Sequence, residues 1–460
     1  MATEGDTIAD KPAQLTARRV FLPLAWIFGA LYIFITPPFQ VPDEYMHFYR
    51  SYQVSEGRLT AYRVGTDIGG FLPRSLLELG DRLPSGLQSD PNFHLHAGDI
   101  WSLRTIPLNP HDRKFAVFGA VSWHSPMNYL PQAAGIAIGR SFGLSPLWLL
   151  YCGRAGNLLS WSLLAWFAIR LIPIMDWTLL LLALMPMSLA QAASLSADAT
   201  VNGVCFLFVA AAVRCALGNA ATMTTARTTG LTILGAAVSL AKTAYIPLTI
   251  LFLLIPSSKF GGRRRHWGIF SLFILACLAT TIGWSLCTFG AQSYTAPNVS
   301  PRLQAIYILH HPIEMLHRDV GMLLSMPYLE SIIGTLGWAD IRLWWPGAML
   351  YWVALFASVC IGGWPHIRLS ARQRFLLASA ACGCWLLVFT LVYLTFTPVG
   401  GRSINGLQGR YLIPATAPFL LMFYLRPGPR RLNVGPWISA FCALFSVYAL
   451  AVLVRRFYIW

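Results

Sequence analysis

The chain has 460 residues, of which 56% are hydrophobic and only 11% charged. That balance excludes an ordinary soluble domain and points to an all-α, polytopic helical membrane protein. The net charge of +16 would suggest nucleic acid in a soluble protein, but the basic residues fall in short loops between apolar runs. That pattern belongs to membrane topology and anionic headgroups, so the lipid bilayer is the expected partner and nucleic acid is not.

Residues 1–18 read as a polar, disordered cytoplasmic N-terminus. Arg18-Arg19 then precede the apolar run Val20 to Ile35, which looks like a signal peptide but lacks a small-x-small cleavage site and runs into Thr36-Pro37-Pro38. It reads as an uncleaved first helix over 19–36. Residues 37–145 form a first extracytoplasmic loop; a segment this long between spans is usually functional. Within it, 127–142 is amphipathic and short, as expected of a helix lying at the interface. Further spans are expected over 147–170, 177–194, 199–217, 229–241, 243–256, 267–289, 346–364, 375–396, 410–425 and 435–454, giving about 11 membrane-spanning helices. A second large extracytoplasmic loop covers 290–345, and 19–456 form one multipass domain.

The segments on either side of Lys242 are each too short to cross a core of about 30 Å. The basic runs Lys259 to Arg265, His366 to Arg374 and Arg426 to Arg431 all become cytoplasmic only if the chain turns at Lys242. The same topology puts Asp198, Lys242, the loop 398–409 and both large loops on the outer side. It also puts Arg455-Arg456 there, against the charge rule. The nine cysteines lie in the apolar spans, and Cys382-x-Cys384 lacks zinc or redox spacing, so they read as small buried residues.

Polar groups in so apolar a chain single themselves out. Asp43-Glu44, just past the first helix, are two of only 18 acidic residues. One reading is a helix start in which a carboxylate caps free N–H groups. The other is catalytic: a partly desolvated carboxylate has raised proton affinity and can deprotonate an acceptor hydroxyl. His47 and Arg50 follow on the same segment. Asp198, in Ser194-Leu195-Ser196-Ala197-Asp198, is either an N-cap or a second carboxylate of the same site. Asp43, Glu44 and Asp198 together are a donor set that a hard divalent metal would accept, the one cofactor these residues allow. Lys242 either snorkels or supplies a cation to a phosphate group. Arg410-Tyr411 opens a late span, as an interfacial anchor or as a bidentate phosphate ligand, with Arg402 a second candidate in that loop. No nucleotide-binding loop of useful specificity is present.

In order along the chain, the acidic pair Asp43-Glu44, the run His124-x-Pro126-x-x-Tyr129, Arg154-x-x-Asn157, Ser196-x-Asp198, Lys242 and Arg410-Tyr411 resemble the GT-C superfamily of membrane glycosyltransferases. Pro37-Pro38-Phe39-Gln40-Val41-Pro42-Asp43-Glu44, the run from Met185 to Ala199 and Gln408-Gly409-Arg410-Tyr411 more closely resemble a bacterial family of predicted multipass membrane proteins of unassigned function. The resemblance implies transfer of a sugar from a polyprenyl-phosphate donor to an envelope glycan or lipid acceptor, on the extracytoplasmic face of the bacterial cytoplasmic (inner) membrane. It implies Asp43 as the acceptor-side base, Glu44 and Asp198 as its support, and Lys242, Arg410, Tyr411 and Arg402 at the donor phosphate. His47, Arg50, His124 and Tyr129 fall on the acceptor side. His-Ser-Pro-Met-Asn-Tyr departs from the usual His/Lys-Pro-Pro-Leu-Tyr-Tyr, and no large C-terminal soluble domain of the oligosaccharyltransferase kind follows. A transporter or flippase, or a polymerase or ligase, of lipid-linked glycans is the alternative; a transporter would need ionisable groups near mid-membrane, where Arg154 and Arg170 are the residues to watch.

Overall fold

In the computed structural model, which describes residues 15–84, 86–90, 92–290, 298–359, 367–425 and 433–459, the first apolar run forms the helix Ala17–Ile35. It is one of five described helices long and apolar enough to cross a membrane, with Asp198–Leu217, Arg263–Cys287, Ala371–Phe396 and Gly435–Tyr458. Arg263–Cys287 presents Leu272, Leu275, Ile282 and Leu286 outward. That is unremarkable in lipid, where an apolar surface needs no cover. The helix Pro146–Leu171 holds the centre, packed against Ala17–Ile35, Leu130–Ser141 and Asp198–Leu217. The expected disordered tail and the basic run 426–431 lie almost wholly outside the described residues.

Several expected spans come out broken, and proline is the reason. The run expected over 177–194 is two helices, Asp176–Leu184 and Pro186–Ala192, separated by an extended Met185. Pro186 has no N–H to donate and disfavours helical geometry in the residue before it. The run 410–425 is a tight turn, Gly409–Leu412, followed by the helix Ile413–Leu421, which contains Pro414 and Pro418. The turn expected at Lys242 is present: the helix Thr225–Ala241 stops, Lys242 is extended, and a tighter 3₁₀ helix containing Pro247 covers Thr243–Leu254.

The chain is mostly helical, as expected, and carries two small sheets besides. Tyr62–Val64, Asp67–Pro73 and Arg113–Val117 form a three-stranded antiparallel sheet. Its first hairpin closes over Gly65-Thr66, where Gly65 (φ +62) supplies the left-handed turn. Beneath it lies a core of its own, with Phe48, Tyr52, Leu72 and Leu76 packed onto Leu147, Leu149 and Leu150 of the central helix. A second hairpin pairs Thr335–Leu336 with Ile341–Arg342.

The two large loops and the end of Gly435–Tyr458 meet on one side. Trp338 Nε1 donates to Phe39 O at 2.7 Å. Arg456 lies 3.6 Å from Asp340 and donates to the carbonyls of Phe93, Leu87 and Asp90. Arg456 is thus neutralised by one carboxylate and held by three carbonyls.

Candidate active site

Asp43 is the residue before the helix Glu44–Ser55, and its backbone is left-handed (φ +62). Asp tolerates that region better than most residues, but it still costs free energy. Its side chain makes no capping hydrogen bond, so the helix-start reading fails for Asp43. It is half-buried and, among the described residues, has no ion pair. Burial raises the proton affinity of its carboxyl; Arg410 opposes this and Asp198 adds to it.

Glu44, its neighbour, faces elsewhere. Its side chain is fully buried and held by Arg154 through two contacts, 2.8 Å from Nε and 2.6 Å from a terminal nitrogen. It also accepts from the backbone N–H groups of Phe39 and Leu195, at 3.0 and 3.1 Å. Arg154 donates its remaining hydrogens to the carbonyls of Ile33, Thr36 and Pro37. Every strong acceptor position of Glu44 is taken, so the expectation of a catalytic Glu44 is corrected. It is a buried clasp that fixes the turn carrying Asp43. The same clasp satisfies Arg154 within the protein, which removes it as a transport-path cation.

Asp198 is the first residue of its helix rather than its cap; its own N–H donates to Ser196 Oγ at 3.2 Å. One carboxylate oxygen lies 3.3 Å from Lys242 Nζ and the other 3.4 Å from Arg410 Nε. Lys242 also sits 4.1 Å from the centre of the Tyr411 ring, with Arg410 at 5.3 Å from the same ring. Three distant parts of the sequence therefore meet in one group: two cations, joined by one carboxylate, around one aromatic face. Arg410 is buried, not an interfacial anchor. Gly409 beside it has no room for a side chain, since a Cβ there would strike Ser331 Oγ and Ile332 N.

A divalent metal on Asp43, Glu44 and Asp198, which the sequence allows, does not fit these residues. Glu44 is spent on Arg154 and Asp198 on Lys242 and Arg410. Among the described residues no three His, Cys, Asp or Glu side chains are grouped to hold a metal.

His47, Tyr129 and His124 form a buried chain, with the Tyr129 hydroxyl 2.9 Å from His47 Nδ1 and 3.4 Å from His124 Nδ1. Burial, reinforced by Arg410, holds the His47 imidazole down to about 3, and burial likewise lowers His124. Both rings are neutral at pH 7, so Tyr129 donates to one ring and accepts from the other. Arg50 is fully buried behind them; it donates to Leu59 O at 2.5 Å and to Gln53, and lies 6.0 Å from the Tyr129 ring. With no exposed surface it cannot touch an acceptor, which corrects the acceptor-side expectation for Arg50. Arg402 is exposed in its loop and, among the described residues, joins none of the ion pairs above. Arg402→Ala should leave any activity within about twofold of wild type, as a solvated surface charge does, while Arg410→Lys should not. Equal losses in side-by-side rate measurements would show that this reading of the loop is wrong.

The sequence reading missed two supporting groups. Arg154 was visible as a cation inside an apolar span, which demands a partner, but its partner was not deducible from spacing. Gln191 lies inside the run from Met185 to Ala199 and carries no charge to mark it. Yet it accepts from Asn202 Nδ2 at 2.8 Å and lines a cavity of about 200 Å³. That cavity reaches from Val41-Pro42 to Gly409-Arg410 and is walled on the far side by the hairpin around Gly337.

Compared with known proteins, residues 26–418 match a family described as "Predicted membrane protein (DUF2142)". No curated protein and no solved structure matches the chain.

Proposed function

The chain belongs to this family of predicted membrane proteins, and from the geometry of its buried charges we propose that it is a membrane glycosyltransferase. It moves a sugar from a polyprenyl-phosphate donor to an envelope glycan or lipid acceptor, with inversion. The reading carries with it about 11 spans, a cytoplasmic N-terminus and a site on the extracytoplasmic face of the bacterial inner membrane. The observation that carries it is the contrast between the two carboxylates. Asp198 is held by two cations, whereas Asp43 is half-buried beside them and has no ion pair among the described residues.

The chemistry follows from that contrast. Arg410 and Lys242 offer positive charge to the lipid phosphate, and Asp198 fixes both in place. Asp43 takes the proton of the acceptor hydroxyl as its oxygen attacks the anomeric carbon. The bond from that carbon to the phosphate oxygen breaks, and its electron pair goes to the phosphate. The developing charge is met by cations already oriented, which is where catalysis of this kind gains most. Attack opposite the leaving phosphate inverts the centre. His47, Tyr129 and His124 act as positioning groups, a neutral network behind the cations that adds no charge to compete with the phosphate.

The test is the glycan composition of the cell envelope, by mass spectrometry, in wild-type and deletion strains. Loss of one defined sugar substituent with accumulation of its lipid donor is the expected result. Unchanged glycans, or loss of an entire polymer with its lipid-linked precursor intact on the inner face, would favour no role or transport respectively.

A further inference from the structure

The second large loop carries two helices in tandem, Pro301–His310 and Pro312–Leu323, with His311 between them. Their polarity runs opposite to that of a helix packed in water. The buried positions are Gln304, Met315 and Asp319, and two of these are polar. The outward positions are largely apolar: Leu303, Ile306 and Leu309 on the first helix, Ile313, Leu316 and Val320 on the second, with Leu324 just past its end. Leu309, Ile313 and Leu324 are 79%, 83% and 69% exposed. Spacings of three and four residues put each set along one side of its helix. Arg302 and His310 stand at the two ends of the first stripe, and Glu314 and His317 along one flank of the second. An apolar stripe with polar margins is the pattern of a helix lying in an interface, and in water it would be apolar area without cover.

What covers the stripes follows from what the pair rests on. Gln304 Oε1 accepts from the Gly400 N–H at 2.9 Å. Arg318 lies 4.8 Å from the centre of the Tyr393 ring and is held by Glu314 at 2.7 Å. Tyr393 belongs to Ala371–Phe396, one of the helices long and apolar enough to cross a membrane, and Gly400 lies just beyond its end. The pair is therefore seated where that helix leaves the hydrocarbon. Phe396 and Val399, at the same end, are also exposed, so apolar surface of the spanning helix reaches the level of the pair.

We propose that Pro301–His310 and Pro312–Leu323 lie along the bilayer surface, with their apolar stripes sunk among the acyl chains of one leaflet and Glu314 and His317 turned to the headgroups. The helix Met326–Gly334, which walls the cavity with Tyr328 and Ser331, begins just after Leu324. The seat thus fixes that wall close to the bilayer surface, whatever the cavity binds.

The experiment uses p-benzoylphenylalanine, which on irradiation bonds to the C–H groups it touches, placed singly at Ile313, Leu316 and Val320 of the full chain. Leu272, outward on Arg263–Cys287, is the reference in lipid. Gly321, exposed on the Glu314 side with open space around it, is the reference outside the acyl chains. The variants are irradiated in nanodiscs of phosphatidylethanolamine and phosphatidylglycerol, and phospholipid adducts are counted by mass spectrometry. The yield at the three stripe positions should be close to that at Leu272 and several-fold above that at Gly321. Yields no higher than at Gly321 would overturn the proposal. So would crosslinks to a second copy of the chain in place of lipid, which would make the stripes a contact between copies.

Discussion

On the proposed function, Asp43→Asn should lower sugar transfer by about 10²- to 10⁴-fold, the range expected when a positioned general base is lost, while donor-lipid binding should stay near wild type. The amide keeps the shape of the carboxylate and removes only its basicity. Lys242, Asp198 and Arg410, which would hold the phosphate, are untouched by the change. Burial raises the proton affinity of Asp43, so the sign of the pH dependence is fixed. The base works only when deprotonated, and the rate should climb with pH through a limb lying above the usual carboxylate range. That limb should vanish in the Asn variant. The checks are envelope glycans from the strain expressing the variant at equal protein level, and the pH–rate profile of the purified protein. Glycans indistinguishable from wild type would remove Asp43 from the chemistry.

The second large effect is on stability. Arg154→Met leaves the Glu44 carboxyl buried and without its partner, and should destabilise the fold by ~3–5 kcal/mol, the usual cost of breaking a fully buried ion pair from one side. The double variant Glu44→Leu, Arg154→Met removes both charges and should recover much of that loss, because apolar replacements of a buried pair are often tolerated. It should not recover full activity, since the turn from Phe39 to Asp43 loses the carboxylate that accepts the Phe39 N–H. Thermal unfolding in detergent reads the first effect, and transfer by the double variant reads the second. If Arg154→Met melts like wild type, the clasp contributes little and the separation of Glu44 from catalysis loses its main argument.

What the sequence made legible follows from cost. Charges in an apolar chain stand out because they are expensive, so Asp43, Asp198, Lys242 and Arg410 could each be picked out singly. Their partners could not. Asp43 and Glu44 are adjacent and look like a pair, but the left-handed backbone at Asp43 sends the two side chains to different places. Only the fold assigns Glu44 to a residue 110 positions away. The turn at Lys242 could be argued from charge, since loop arginines must agree on a side. The break at Pro186 could have been read from proline alone, but a continuous apolar run masked it. The sheet of the first loop was hidden for a different reason. Its middle strand contains Gly69-Gly70 and its first strand is only three residues long, so no alternating apolar pattern marks it.

The link between Arg456 and the two loops has a consequence for the order of events during synthesis. The hairpin that walls the cavity is fastened at one end to Phe39, through Trp338, and at the other to Arg456, through Asp340. Those anchors are separated by more than four-fifths of the sequence. The first loop is likewise fastened late, by Arg456 and by the bond from Leu95 N–H to Phe457 O. Contacts this distant form last, after nearly every other element has been made and inserted. A nascent chain therefore carries its carboxylates and cations long before it encloses a space between them. On the proposed function, a lipid donor met too early would find an open cleft rather than a working site.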